Sequence, residues 1–342
     1  MTDKTSSLEG RVSNETETEA VSVLKQYLTV YKRTNYGKLL LLGGIIFIGF
    51  LGNLITMFTP EKSHVAVIQI NGEIGTDQDA GNGEKIAQHL LAAMSNDDAQ
   101  MIVIKANSPG GSPTDSQTIN EIIVQYKQWK SPLPKGISEQ VINDIENPAI
   151  MFQEDFTSSI NLKTLPRKLI VAVVTKQCAS ACVQAIINAD VIIGQRASLI
   201  GNIGVRLDRI NFSDFAKKVG VTNTTITSGQ YKAMLNPWHA IDSEELDIAK
   251  TTLIEPVFEQ FKADVLAARA EKFKVELDTL FSGLVWTGDE AQRIGLIDGV
   301  SNPVAVKSAL EKISQAQYKE YSIESFSLGA FIKNPFASMG YL

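Results

Sequence analysis

LIVAVVTKQCASAC, residues 169–182, is the stretch on which the fold turns. Leu169 to Val174 form an unbroken apolar run, which reads as a strand buried on both faces, as in the interior of a parallel sheet. The run leads into small residues around Ser180 and then into a helix reaching about residue 188. The same rhythm extends outward. HVAVIQI (residues 64–70) reads as a strand ending at the Asn71-Gly72 turn, and helical spacing follows at Ile86, Leu90, Leu91 and Met94. MIVIK (101–105) predicts a second strand, closed by the turn Asn107-Ser108-Pro109-Gly110-Gly111, and a helix is predicted over about 115–129. Further short strands are predicted at 191–194 and 198–205. Strands alternating with helices predict an α/β domain with a largely parallel sheet.

Residues 130–168 interrupt the rhythm with four prolines and mixed charge, and read as an insertion over a sheet edge or a site mouth. A long amphipathic helix is predicted from Asp242, with Ser243 as a plausible N-cap, to about residue 273. Shorter helices are predicted near 287–294 and 302–314. Residues 39–58 carry no charge over about 30 Å of helix, enough to cross a bilayer. Lys25, Lys32, Arg33 and Lys38 precede that span, so residues 1–38 are expected in the cytoplasm, largely disordered, and the rest on the far side of the plasma (inner) membrane, periplasmic or extracellular. The expected order is thus 1–38, a transmembrane helix at 39–58, an exported domain at 59–320 and a tail at 321–342.

Charge and cysteines narrow the function. A net charge of −6 without a basic face argues against nucleic acid. The only cysteines, Cys178 and Cys182, make neither a disulfide scaffold nor, lacking a nearby histidine pair, a zinc site. Taken as one helical turn apart, they are expected to be two packed thiols, since a bridge there would be strained.

Ser180 and Lys232, the latter within Ser228-Gly229-Gln230-Tyr231-Lys232, suggest a serine–lysine hydrolase. A serine hydroxyl is a poor nucleophile until a base takes its proton, and a lysine is that base where apolar surroundings favour its neutral form. Ala233, Met234, Leu235, Pro237 and Trp238 follow Lys232 and would supply such surroundings. Ser180 at a helix start would aim backbone N–H groups at a carbonyl. The amides of Ala181 and Gly110, with Gly111 as second choice, would form the oxyanion hole. Taken singly, such a serine is usually packing and such a lysine a surface charge. Lys176 is a rival base, and His64, His89 and His239 are the only histidines for a Ser-His-Asp triad; no motif surrounds any of them.

Five segments in order resemble the signal peptide peptidase A family (peptidase family S49), serine peptidases of the ClpP/crotonase fold. They are the Asn107–Gly111 turn, Ala179-Ser180, Ile200-Gly201-Asn202-Ile203-Gly204-Val205, Ser228–Lys232, and Val285-Trp286-Thr287-Gly288 with Gly295-Leu296-Ile297-Asp298. The resemblance covers most of residues 64–300. It implies repeated ββα units, Ser180 as nucleophile, Lys232 as general base, and Asn202, where the family has a serine, as the residue orienting that base. It also implies peptide substrates such as signal-peptide remnants, a membrane-tethered homo-oligomeric ring, and no metal or cofactor. Ala181 and Cys182 replace the family's two glycines after the nucleophile. The alternatives are a catalytically inactive membrane scaffold of the same fold and an acyl-CoA enzyme of the crotonase type.

Overall fold

The structure, a computed structural model, describes residues 21–33, 36–38, 40, 43, 44, 47, 49, 62–153, 156 and 158–321. The chain divides into Lys62–Ile323 and a second unit of Met1–Glu61 with Glu324–Leu342. In the second unit, residues 21–33 are helical and exposed. Most of the span expected at 39–58, and all but the first residue of the tail expected at 321–342, lie outside the described residues. Among those described, no helix is long and apolar enough to cross a membrane.

Lys62–Ile323 contains β1 (His64–Asn71), α1 (Gly83–Ser95), β2 (Ala99–Ser108), α2 (Pro113–Trp129), α3 (Ile137–Glu146), β3 (Ile170–Ala179), α4 (Ala181–Ile186), β4 (Val191–Gly194), β5 (Leu199–Gly201), α5 (Ser213–Lys218), α6 (Ser243–Ala249), α7 (Glu255–Arg269), β6 (Val285–Thr287), α8 (Gly288–Arg293), β7 (Gly299–Val300), α9 (Pro303–Ser314) and β8 (Gln317–Tyr321), with several single turns between them. The strands join one sheet in the order β6-β5-β3-β2-β1-β8, with β4 branching from β3 and carrying β7. Every pairing is parallel except β5 with β6.

Both sheet faces are apolar, as the unbroken run at 169–174 predicts. Side chains alternate along a strand. Ile68, Ile102, Ile104 and Ile170 therefore join one buried cluster, which includes Leu90 of α1, Ile123 of α2 and Phe261 of α7. Val67, Met101, Val103 and Val171 join the other, with Val141 of α3 and Leu310 of α9.

The branch at β3 positions the site. Val171–Val173 pair with β4, whereas Gln177–Ala179 pair with β5. Against β2, Ala106 faces Val174 but Ser108 faces Cys178, so β3 carries two extra residues over 175–177. The Gln195 amide donates to the Thr175 carbonyl released by this bulge, and the Thr175 hydroxyl donates to Ala106 O at 3.3 Å. The bulge turns the end of β3 away from β4 and towards β5.

The insertion over 130–168 folds against the second face of the sheet. Val141 and Ile145 of α3, with Ile150 and Ile160, are buried in the cluster behind β1–β3. The long helix expected from Asp242 is present but interrupted. Asp242, rather than Ser243, is its N-cap, in a capping box with Glu245. A π-helical stretch at Lys250–Ile254 separates α6 from α7, next to Pro256, which has no N–H to give to the helix ladder. The strand expected over 198–205 stops at Gly201, because Asn202 takes φ 52°.

Candidate active site

The carboxyl ends of three neighbouring parallel strands, β2, β3 and β5, converge. This is where open α/β sheets place their ligands. β2 delivers Ser108–Gly111, β3 delivers Ser180 and β5 delivers Asn202.

Ser180 is the N-cap of α4 at φ 52°, ψ −123°, a conformation side-chain-bearing residues rarely adopt. Its N–H donates to Gly201 O at 2.8 Å, and its carbonyl accepts from Val183 N–H at 2.8 Å. The hydroxyl caps nothing; it points towards Gly204 O at 3.5 Å, a contact at the outer limit of hydrogen bonding.

The glycine turn packs directly on this serine. Gly110 sits at φ 106°, and a Cβ there would meet Ala179 O at 2.8 Å and the Ser180 Cβ at 2.9 Å. Only glycine fits that position. The Gly110 N–H turns inward to Ser108 Oγ at 3.1 Å, and the Gly110 carbonyl accepts from Ile74 N–H at 2.9 Å. Among the described residues, the N–H groups of Gly111 and Ala181 have no hydrogen-bond partner.

Ser180, Ala181, Gly110, Gly111 and Asn202 all line one cavity of about 920 Å³. Ile254, Val257, Phe258, Phe261 and Phe281 form its apolar wall, where Phe258 and Phe281 meet edge to face at 6.4 Å. An open cavity of this size, lined by an apolar wall and a few polar groups, suits an extended apolar ligand. Among the described residues, Glu73 and Arg206 are its only charged lining residues.

Lys232 is elsewhere. It lies on an exposed turn, its N–H donating to Gly229 O at 3.2 Å, and it does not line the cavity. The apolar surroundings expected for it do not form within the chain: Leu235 and Trp238 are exposed as well. A single chain thus brings together the expected nucleophile, the glycine turn and Asn202, but not the expected base.

The rivals are no closer. Lys176 is exposed and outside the cavity, and none of the three histidines lines it, His64 and His89 being buried elsewhere. His64 bonds Tyr321 Oη at 2.8 Å and His239 bonds Glu245 at 3.1 Å. Burial pushes the His89 imidazole down, against the pull of Asp79. Among the described residues no cluster of His, Cys, Asp and Glu could hold a metal ion.

The two cysteines are not packed thiols. Cys178 and Cys182 form a disulfide with Cα atoms 5.1 Å apart. The expectation failed because it placed both on one helix, whereas Cys178 belongs to β3 and Cys182 to α4.

The fold and cavity define an α/β protein with a ligand site at the carboxyl ends of its parallel strands. The sequence model of peptidase family S49 matches residues 165–317, so this part of the chain is similar to that family. A protein of Methanocaldococcus jannaschii, provisionally named a protease, is 25% identical over 285 residues, covering 80% of this chain and 78% of that protein. Protease 4 of Haemophilus influenzae is 23% identical over 275 residues, 78% of this chain but 38% of that protein. The Na(+)/H(+) antiporter NhaA of Brucella melitensis is 27% identical over 259 residues, 74% of this chain and 30% of its own length. The chain therefore spans well under half of these last two relatives. The family match and the relatives named as proteases support a peptidase as the broad class.

Proposed function

We propose that the protein is a serine endopeptidase of ClpP/crotonase-like fold that hydrolyses apolar peptides, such as signal-peptide remnants, at Ser180. The observation that carries this reading is Ser180 itself: a strained, uncapped serine at a strand end, against a glycine turn, lining a cavity with an apolar wall. Strain of this kind concentrates at functional sites.

The chemistry runs as follows. Ser180 Oγ attacks the scissile carbonyl while a neutral lysine takes its proton. The lysine then protonates the leaving amine, and water resolves the acyl-enzyme. The Ala181 and Gly111 amides hold the oxyanion, rather than Gly110, whose N–H is held by Ser108. The lysine is Lys232, delivered by a second copy of the chain, with Asn202 accepting from it in the cavity. The segment bearing Lys232 supports this, because it exposes Leu207, Ile210, Phe215, Val221 and Ile226, the last at 93%. Exposed large apolar side chains gathered in one stretch of sequence suit an interface, and burying them would give the lysine the dry seat a neutral amine needs. The uncharged stretch 39–58 and the basic residues before it support a membrane tether, with this domain outside the cytoplasm.

Hydrolysis of an apolar fluorogenic peptide by the full chain in detergent tests the reading. Ser180→Ala and Lys232→Ala are each expected to abolish turnover while leaving the circular dichroism spectrum native; full activity in either would remove that residue from the mechanism. The absence of a base from the single-chain cavity favours one other reading, an inactive scaffold. Labelling of Ser180 by a fluorophosphonate excludes it, since only an activated serine reacts.

A further inference from the structure

The Cys178–Cys182 disulfide brackets Ser180, two residues away on either side. One sulfur anchors the end of β3 and the other the first turn of α4, and both residues are fully buried. Between them Ala179, Ser180 and Ala181 must turn from extended strand into helix, which they do through the positive φ of Ser180. Besides the bridge, the turn is held by the Ser180 N–H bond to Gly201 O at 2.8 Å and by its packing on Gly110. Its flanking side chains are methyl groups, α4 is only six residues long, and no side chain caps it. A positive φ in a residue with a side chain persists only where the surroundings over-determine it.

We propose that the Cys178–Cys182 disulfide is the positioning device of the nucleophilic turn, so that the reactivity of Ser180 follows the redox state of this pair. The proposal rests on the peptidase reading of Ser180. With the bridge closed, the ends of β3 and α4 are fixed at 5.1 Å between Cα atoms, and Ser180 is held against Gly110. With it open, φ of Ser180 relaxes towards the ordinary regions, and Oγ leaves its place 3.5 Å from Gly204 O.

The reductant is a dithiol, such as dithiothreitol or a thioredoxin-type protein. Its thiolate attacks one sulfur and forms a mixed disulfide while the other cysteine leaves as a thiol. Its second thiol then displaces the remaining cysteine. Two electrons and two protons pass to Cys178 and Cys182, and the dithiol ends as a disulfide. Because both sulfurs are buried, exchange waits on opening of the turn, so reduction is slow under native conditions.

The test compares the full chain oxidised, reduced by dithiothreitol and reoxidised, with a Cys178→Ala/Cys182→Ala variant. Reduction is verified by alkylation of both thiols and mass measurement. Hydrogen–deuterium exchange is read across residues 178–188, and Ser180 reactivity by the rate of fluorophosphonate labelling. Reduction is expected to raise exchange in the turn alone and to slow labelling by at least about tenfold, as small misplacements of reacting groups do. Reoxidation should restore both, and the double variant should be slow under either condition. Unchanged exchange on full reduction, exchange rising throughout the domain, or a loosened turn that labels at the oxidised rate would each overturn the proposal. Turn exchange that responds while no form ever labels would instead sink the peptidase reading and leave the bridge as the support of the turn.

Discussion

A Cβ added at Gly110 would stand 2.8 Å from a carbonyl oxygen and 2.9 Å from the Ser180 Cβ, on a backbone at φ 106°. Gly110→Ala therefore pushes directly on Ser180. It is expected to cost about 1–3 kcal/mol of stability from strain and, by displacing the oxyanion donors, on the order of 10²-fold in kcat/KM; urea unfolding and peptide hydrolysis check the two parts. Ser180→Gly acts in the opposite sense on stability. Glycine adopts φ 52° without penalty, so the variant should be inactive yet more stable by about 1 kcal/mol, a Tm rise of about 2–4 °C. A lower Tm would show that Ser180 is not strained. The sequence offered Ser180 and the Gly110-Gly111 turn as separate candidates, and the fold brings them into contact. Which amide donates was not legible there, because the Gly110 N–H is claimed by Ser108 only once the turn has its three-dimensional path.

The insertion over 130–168 packs on the sheet face opposite the cavity wall. Ile150 is fully buried there and lines no part of the site. Ile150→Ala is thus expected to cost about 2–5 kcal/mol of stability with kcat/KM unchanged within twofold at a temperature where the variant stays folded. A large change in KM would make the insertion a gate after all. At this scale the sequence shows β1, β2, β3 and β4 clearly, because strands apolar on both faces have no other home than a parallel sheet. It hides β8. Gln317–Tyr321 (QYKEY) carries little apolar pattern and is a strand only because β1 offers it an edge. It also hides the branch of β3, which depends on a bulge at Thr175–Gln177 supported by Gln195, 18–20 residues further along the chain. The π-helical break before Pro256 belongs to the same class of feature, read from hydrogen bonds rather than from periodicity.

Two buried carboxylates tie the branched part of the sheet to its surroundings. Burial alone would push the Asp190 carboxyl up, but bidentate bonds from Arg167 at 2.6 and 2.7 Å, with Lys127 at 3.2 Å, hold it below the usual carboxylate range. Asp298 is likewise held down, against its burial, by Arg269 and Lys272. A carboxyl depressed in the folded state stabilises fully above its unfolded value, about 3.9, and that stabilisation is lost as pH falls through the folded value. Stability should therefore fall steeply below about pH 4. Asp298→Asn should cost about 3–5 kcal/mol at neutral pH by stranding Arg269 and should flatten this acid limb; an unchanged limb would remove Asp298 from it. The assembly makes a sharper demand. The cavity holds Ser180 but, among the described residues, no lysine, while Lys232 stands exposed on an apolar segment. If each site takes its serine from one copy and its lysine from the next, two separately dead variants should complement. Ser180→Ala and Lys232→Ala, co-expressed with different tags and purified through both, should then recover about a quarter of wild-type activity, the fraction of heterologous contacts that join two intact residues. The same mixture from a lysine acting within its own chain would stay dead, because no copy carries both residues. Adding Ile226→Asp to both chains should break the apolar contact, shift the protein to monomers in sedimentation and abolish the recovered activity. Monomers that retain turnover would show that the base reaches Ser180 from within one chain.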